Sequence, residues 1–466
     1  MRAERWWPTA ALVGLALLYL ALFRPGLSVM GGGDFALYLA HTQALVQGRG
    51  YADTGFVFNP ANAIMSPAAY PPGLPLLLAP VVAGFGLEGA PIKLLMLAAL
   101  LAMLWGLHRL AEPTLGPRWS AVLVLAAGLS PAILMRRDAV GSDIVFAAWC
   151  YLALLGARGR PVLLGIGVAM ALMTRSIGVV LAVALALDLL FRPGPMRRRL
   201  APALLAGVVV AVVGTLWLRV DNATYAGYFH RLLAGGIVRH LASAGQAYAF
   251  AVVELFGLSF GRLANWPVLL ALLGLIGWGL WRHLRRGPDA VVIFVLLYGA
   301  ALIAYPVHME PTRYALPILP LLLWLALEPL RRLPPVAVLA GLAVLYGPFY
   351  WQHDARAQAP ITADSPDFQA LLAELRENPP GTRLIARNPR IFALYAGLPS
   401  HTWPETLTPE GWRSTLATYR PAYVIEERWQ ASEEATTLAA LVSTYPVSFE
   451  NAAYRLRAIP AAATGH

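Results

Sequence analysis

Charge is scarce in this sequence: 13% of its 466 residues are Asp, Glu, Lys or Arg, against roughly a quarter in a soluble domain. With 58% hydrophobic residues, a chain water-soluble throughout is excluded. Cysteine occurs once, at Cys150 within an apolar run, so no intrachain disulfide and no Cys-rich metal site can form. Lysine also occurs once, at Lys93, which leaves arginine as nearly the sole cation. The sequence has no Gly-x4-Gly-Lys-Ser/Thr phosphate loop, no His-Glu-x2-His and no Gly-x-Ser-x-Gly. Internal repeats are absent, and so is low complexity beyond general Ala/Leu richness.

What the sequence has is apolar runs, at about 8–23, 71–87, 91–108, 119–135, 142–157, 161–173, 176–191, 200–218, 266–281, 290–306, 314–330 and 335–351. Many approach the ~20 residues that cross a bilayer core as helix. The chain reads as a polytopic α-helical membrane protein. No small-x-small cleavage site follows the first run before Arg24, so that run reads as an uncleaved span. Basic residues between runs set the orientation, chiefly Arg2/Arg5, Arg109/Arg118, Arg158/Arg160, Arg192/Arg197/Arg198/Arg199, Arg282/Arg285/Arg286 and Arg331/Arg332. All of these are cytoplasmic if residues 71–108 cross once. Tyr70-Pro71-Pro72-Gly73, Pro75 and Pro80 make 71–87 the weaker span, read as interfacial or re-entrant. About 11 transmembrane helices follow, with a cytoplasmic N-terminus and an extracytoplasmic C-terminal domain in the cytoplasmic (inner) membrane.

Residues 353–466 hold 10 Arg and 12 Asp+Glu, which leaves 26 of the 36 basic and 13 of the 25 acidic residues in 1–352. That basic excess lies in short loops, so topology accounts for most of it and no nucleic-acid partner is implied. The expected domains are therefore 1–352 in the membrane and 353–466 outside it. In the tail, 364–377, 391–396 and 436–444 read as helices and 383–386, 422–426 and 454–459 as strands, a small α/β domain.

On this topology the outer loops hold polar residues that orientation does not explain. Asp34 follows the first span at the start of a helical pattern, with Tyr38 four residues on, on the same face. It reads either as a capping aspartate or as a carboxylate placed to take a proton from an incoming nucleophile. Arg136-Arg137-Asp138 with Ser142-Asp143 forms either an ion-pair cluster or a guanidinium clamp for phosphate oxygens. Arg175, in an otherwise apolar stretch, either snorkels or faces a polar cavity. In His308-Met309-Glu310-Pro311-Thr312-Arg313-Tyr314, His308 and Glu310 lack a third metal ligand, and Arg313 fits a lipid-phosphate contact. Asp221, Asn222, Tyr225, Tyr228, His230 and Arg231 give a polar, aromatic loop, and 248–260, with Glu254, reads as a helix lying in the interface.

Together these residues resemble the GT-C class of integral-membrane glycosyltransferases, in particular its branch of lipid A aminoarabinose transferases and protein O-mannosyltransferases. The resemblance rests on Gly33-Asp34-Phe35-Ala36-Leu37-Tyr38, Tyr70-Pro71-Pro72-Gly73-Leu74, Arg137-Asp138 with Asp143, Arg175, and Thr312-Arg313-Tyr314-Ala315-Leu316-Pro317. It implies a GT-C-like fold with interfacial helices and a donor sugar on a polyprenyl (or dolichyl) phosphate held at the outer membrane boundary. Asp34 then carries over as general base or acceptor-orienting carboxylate. Arg136, Arg137, Arg175 and Arg313 become donor-phosphate contacts, and Tyr38, Tyr70, Asp138, Asp143, His308, Glu310 and Tyr314 line the substrates. Phe35 stands where protein mannosyltransferases carry a second acid, so neither a protein acceptor nor a required metal is implied, and no cofactor is expected. The acceptor class, whether lipid, glycan or protein, stays open. Two alternatives use the same outer arginines: an O-antigen polymerase or ligase, against which the acidic first loop argues, and a polyprenyl-linked sugar transporter or flippase, which predicts two related halves.

Overall fold

A computed structural model describes residues 6–30, 33–62, 69–192, 194–218, 236–258, 266–305, 310–353 and 361–461. The helices run in order α1 (Trp7–Ala21), α2 (Asp34–Val46), α3 (Gly73–Phe85), α4 (Gly89–Gly128), α5 (Pro131–Leu134), α6 (Ser142–Gly156), α7 (Pro161–Thr174) and α8 (Gly178–Phe191). Then come α9 (Pro195–Trp217), α10 (Ile237–Glu254), α11 (Trp266–Arg286), α12 (Ala290–Ala304), α13 (Pro311–Ala315), α14 (Leu319–Leu327) and α15 (Pro335–Gln352). The tail follows as α16 (Pro366–Arg376), β1 (Leu384–Ile385), α17 (Pro389–Ala396), β2 (Ser400–His401), α18 (Pro409–Tyr419), β3 (Tyr423–Glu427), α19 (Glu433–Leu441), β4 (Val447–Glu450) and β5 (Tyr454–Ala458).

Two compact units divide the chain. The helical unit comprises Met1–Arg24, Lys93–Trp217 and Ala226–Ala357. Among the described residues, three helices are long and apolar enough to cross a membrane: Gly89–Gly128, Pro195–Leu216 and Trp266–Arg286. Shorter apolar helices include α1, α6, α7, α8 and α12. The first of the long ones is two helices in succession. Gly116, between Pro113 and Pro117, has a φ of 77°, a left-handed backbone that only glycine adopts without strain, so the two apolar runs on either side of Arg109 and Arg118 stay distinct.

In lipid a freed carbonyl needs a protein partner. Around the C-terminal end of α4, Gly128, Ala126 and Leu129 receive the hydroxyls of Tyr19, Tyr346 and Tyr350 at 2.8, 2.7 and 2.7 Å. Pro317, in the break between α13 and α14, offers its carbonyl to Tyr151 at 3.0 Å. Close crossings use small residues. A Cβ on Gly167 of α7 would stand 2.6 Å from the Ala153 nitrogen of α6, and one on Gly207 of α9 would stand 2.6 Å from the Gly165 oxygen of α7.

The mixed unit comprises Pro25–Ile92, Leu218–Tyr225 and Gln358–His466. Its sheet has the order β2-β1-β3-β5-β4, with β1 parallel to β2 and β3, and β5 antiparallel to β3 and β4. Residues of the first loop extend the β2 edge. Phe56 bridges Ser400 in parallel, Val57 N–H donates to the Ser400 carbonyl at 2.9 Å, and Ser400 N–H donates to that of Gly55 at 3.0 Å. Asn59 and Asn62 donate their amides to the Thr402 and Trp403 carbonyls at 2.8 and 2.9 Å. Trp403, Trp412, Leu416, Val424 and Leu438 fill one core of the tail. The helices read from sequence at 364–377, 391–396 and 436–444 are α16, α17 and α19, and the three strands are β1, β3 and β5.

Candidate functional site

In the mixed unit the candidate residues gather at the start of α2. Gly33 precedes the helix with φ 72°, and no side chain caps it, so Asp34 is the acid of the first turn rather than the cap. The Asp34 Oδ1 accepts from the Tyr70 hydroxyl at 2.6 Å and from Arg390 Nη1 at 2.9 Å. Arg390 also donates to the Tyr70 hydroxyl at 2.9 Å, which closes a three-membered network. The Tyr38 and Tyr70 rings stack at 4.6 Å. About a third of the Asp34 side chain (30%) stays exposed, whereas the Arg390 side chain is 2% exposed.

Behind this network His41 fixes the backbone of Tyr70. The Tyr70 N–H points at His41 Nε2 at 3.2 Å, so that nitrogen accepts, and Nδ1 then carries the proton and donates to the Tyr51 carbonyl at 2.8 Å. Burial lowers the His41 pKa to about 4, and the imidazole is neutral. Tyr51 stacks on the imidazole at 4.3 Å and donates its hydroxyl to the Tyr70 carbonyl at 2.7 Å. Burial pushes the Tyr70 phenol far above its ordinary range, the nearby Arg390 opposing it, so Tyr70 is a hydrogen-bond donor and not a base.

The helical unit holds a second constellation. Asp143, in the first turn of α6, accepts from Arg175 at the end of α7 and, through Oδ2, from Arg313 Nε of α13 at 2.7 Å. Arg313 Nη1 also bonds Glu310 at 2.9 Å, and the Arg175 guanidinium stands 5.7 Å from the Tyr314 ring centroid. The Thr312 hydroxyl donates to Glu254 of α10. Arg136 faces the same acids: burial lowers its pKa, while Glu310 and Glu254 oppose that. Three guanidiniums and three carboxylates thus meet where several helices end.

Arg137 and Asp138 are turned elsewhere. Arg137 is 1% exposed and donates to the carbonyls of Leu134 and Leu22, and Asp138 faces Lys93 at 3.9 Å. His308 and the loop residues from Asp221 to Arg231 lie outside the described residues. Sequence reasoning missed Arg390, His41 and Lys93. Among the described residues no three of His, Cys, Asp and Glu converge as a metal set.

No family model matches the chain, and no curated protein matches it. Solved structures do. The chain is similar to ArnT from Cupriavidus metallidurans bound to undecaprenyl phosphate, at 14% identity and a TM-score of 0.58 over 98% of this chain and 99% of that one. It is also similar to the Archaeoglobus fulgidus oligosaccharyltransferase in complex with zinc and sulfate, at 16% identity and a TM-score of 0.56 over 90% of this chain and 68% of that one. Against the arabinofuranosyltransferase AftD from Mycobacteria the identity is 16% and the TM-score 0.51, over 98% of this chain and 40% of that one. The chain has the fold of the GT-C membrane glycosyltransferases.

Proposed function

We propose that this protein is a glycosyltransferase that moves a sugar from a polyprenyl-phosphate-linked donor to an acceptor on the outer face of the membrane. The reading includes the topology drawn from the basic loops, with about 11 spans, a cytoplasmic N-terminus and an extracytoplasmic tail in the inner membrane. The observation that carries it is Asp34: a carboxylate fixed by Tyr70 and Arg390, still partly exposed, in a chain whose fold matches ArnT bound to a polyprenyl phosphate.

In this mechanism the acceptor O–H or N–H gives its proton to Asp34 as its heteroatom attacks the anomeric carbon. The bond from that carbon to the phosphate oxygen breaks, and the lipid phosphate leaves with the electron pair. Arg175 and Arg313, held in place by Asp143, and Arg136 beside them, stabilise the departing charge. Glu310, with 53% of its side chain exposed, is the member of that cluster most readily displaced from Arg313 by a phosphate.

The test is a transfer assay with purified protein, the donor being identified by mass spectrometry of the polyprenyl lipid that co-purifies. Asp34→Asn lowers kcat by about 10²–10⁴-fold. Arg175→Lys and Arg313→Lys keep the charge but lose the planar fork, and raise donor KM or lower kcat by about tenfold or more. Wild-type turnover in Asp34→Asn removes the base, and wild-type kinetics in both lysine variants remove the phosphate site. Failure to turn over any polyprenyl-phosphate sugar removes the reading.

A further inference from the structure

Arg390 belongs to the tail, 356 residues from Asp34, yet its guanidinium is inserted into the network at the start of α2. Several independent contacts put it there. Pro389 opens α17, and Asn388 just before it donates its amide to the Glu427 carboxylate at the end of β3, at 3.2 and 3.4 Å. The guanidinium carbon lies 4.9 Å from the Phe56 ring centroid and 5.2 Å from that of Tyr70, so two aromatic rings flank it. Ala393, one turn further along α17, packs with Leu37 and Phe56. Gly33 lies against the Arg390 stem, where a Cβ would stand in ordinary contact at 3.6 Å, so it is its φ of 72° and not the space that calls for glycine.

A cation buried to this degree, on one carboxylate and one phenol, is an unusual investment for a surface ion pair, where such contacts contribute little. Its effect is chemical. It fixes the rotamer of Asp34, aligns the Tyr70 hydroxyl on the same oxygen, and favours the ionised carboxylate that a base must be. From this geometry we infer that Arg390 is a positioning residue for the transfer reaction: the tail domain supplies the group that orients Asp34 and keeps it ionised. The inference rests on the proposed role of Asp34 as base. Among the described residues, Arg390 and Tyr70 bond Asp34, with Tyr38 stacked behind Tyr70 and His41 held neutral.

The experiment compares pH profiles of kcat/KM for the full-length wild type, Arg390→Gln, Arg390→Lys and Asp34→Asn, with donor KM measured separately. Arg390→Gln is expected to lower kcat about 10²-fold, as for a misplaced reacting group, to move the acid limb of the profile upward by about one pH unit or more, and to leave donor KM within about threefold. Arg390→Lys keeps the charge and returns the acid limb to its wild-type position. It still loses about tenfold in kcat, because one ammonium cannot reproduce the planar fork on Asp34 and Tyr70 together. An unmoved acid limb in Arg390→Gln overturns the inference. If that variant does not accumulate, wild-type kcat in Arg390→Lys overturns it. Asp34→Asn separates the two claims: full activity there defeats the base itself, whereas an inactive Asp34→Asn beside unaffected Arg390 variants defeats only the part assigned to the tail.

Discussion

The Tyr70 hydroxyl has two bonds in a partly buried place, one donated to Asp34 and one accepted from Arg390. Tyr70→Phe keeps the stack on Tyr38 and removes both bonds, at a cost of about 1–3 kcal/mol for the unpaired groups. We expect kcat to fall between about tenfold and 10²-fold with donor KM unchanged, and a loss confined to KM would show that Tyr70 binds donor instead. His41 makes a different prediction. Its folded pKa of about 4 lies below the ordinary 6.5, so the unfolded chain takes up the proton first as pH falls. The resulting stability, about 3 kcal/mol for a shift of this size, is complete above pH ~6.5 and is lost as pH drops through ~4. His401, also lowered to about 4 by burial, acts in the same direction. Glu427, which burial pushes up to about 7, acts in the opposite one: its contribution is present at low pH and fades as pH rises through 7. Thermal unfolding in detergent between pH 7 and 4 checks the sign. His41→Gln is less stable at pH 7 and loses less on acidification, and an unchanged acid slope would refute the assignment.

Elements formed where the sequence has a strong period or a hard stop, and the helical unit shows why. Outside 119–135 and 314–330 each apolar run falls within one helix; the first of these passes from the second half of α4 into α5 across a break before Pro131, and the second divides between α13 and α14, because Pro317 and Pro320 interrupt the ladder. In the tail, α16 and α17 were legible from their apolar spacing, while β2, two residues long, and β4, with mostly exposed residues, carry no alternation to read. The helix α18 is poor in apolar residues; its visible signal was Thr408-Pro409, where the Thr408 hydroxyl caps the Gly411 N–H. The close crossings of α7 were likewise present only as scattered glycines, since spacing cannot tell which helix a glycine meets. Gly207→Val tests one of them. The added side chain meets the Gly165 backbone, which cannot yield as a side chain does. A loss of about 1–3 kcal/mol or more follows from overpacking, read as a lower unfolding temperature. Gly274→Val, where a Cβ meets nothing within 4 Å, is the control.

At the scale of the whole chain, the candidate residues divide by what adjacency can tell. Asp34 was legible because it opens a helix just after a span, and Asp143 because it opens another. Arg136 and Arg137 are neighbours in sequence, yet the turn after α5 sends one toward Glu310 and the other to the carbonyls of Leu134 and Leu22, a divergence that no spacing encodes. Arg390 was illegible because its partners lie more than 300 residues away. The topology, in contrast, was argued from loop charge alone, and the scarcity of cysteine makes it open to test. Cys150 is fully buried, so single cysteines introduced elsewhere report without background. In sealed right-side-out vesicles, a membrane-impermeant maleimide should label Gln47→Cys, Glu310→Cys and Glu405→Cys. Arg198→Cys and Arg332→Cys should react only after the membrane is opened. All five positions are exposed, so a failure to label reports sidedness and not burial. Labelling of Gln47→Cys and Glu310→Cys from opposite sides would separate Asp34 from the arginines assigned to the donor phosphate. One transfer reaction then could not use both, because the phosphate of a polyprenyl donor stays at the leaflet boundary where its sugar is taken.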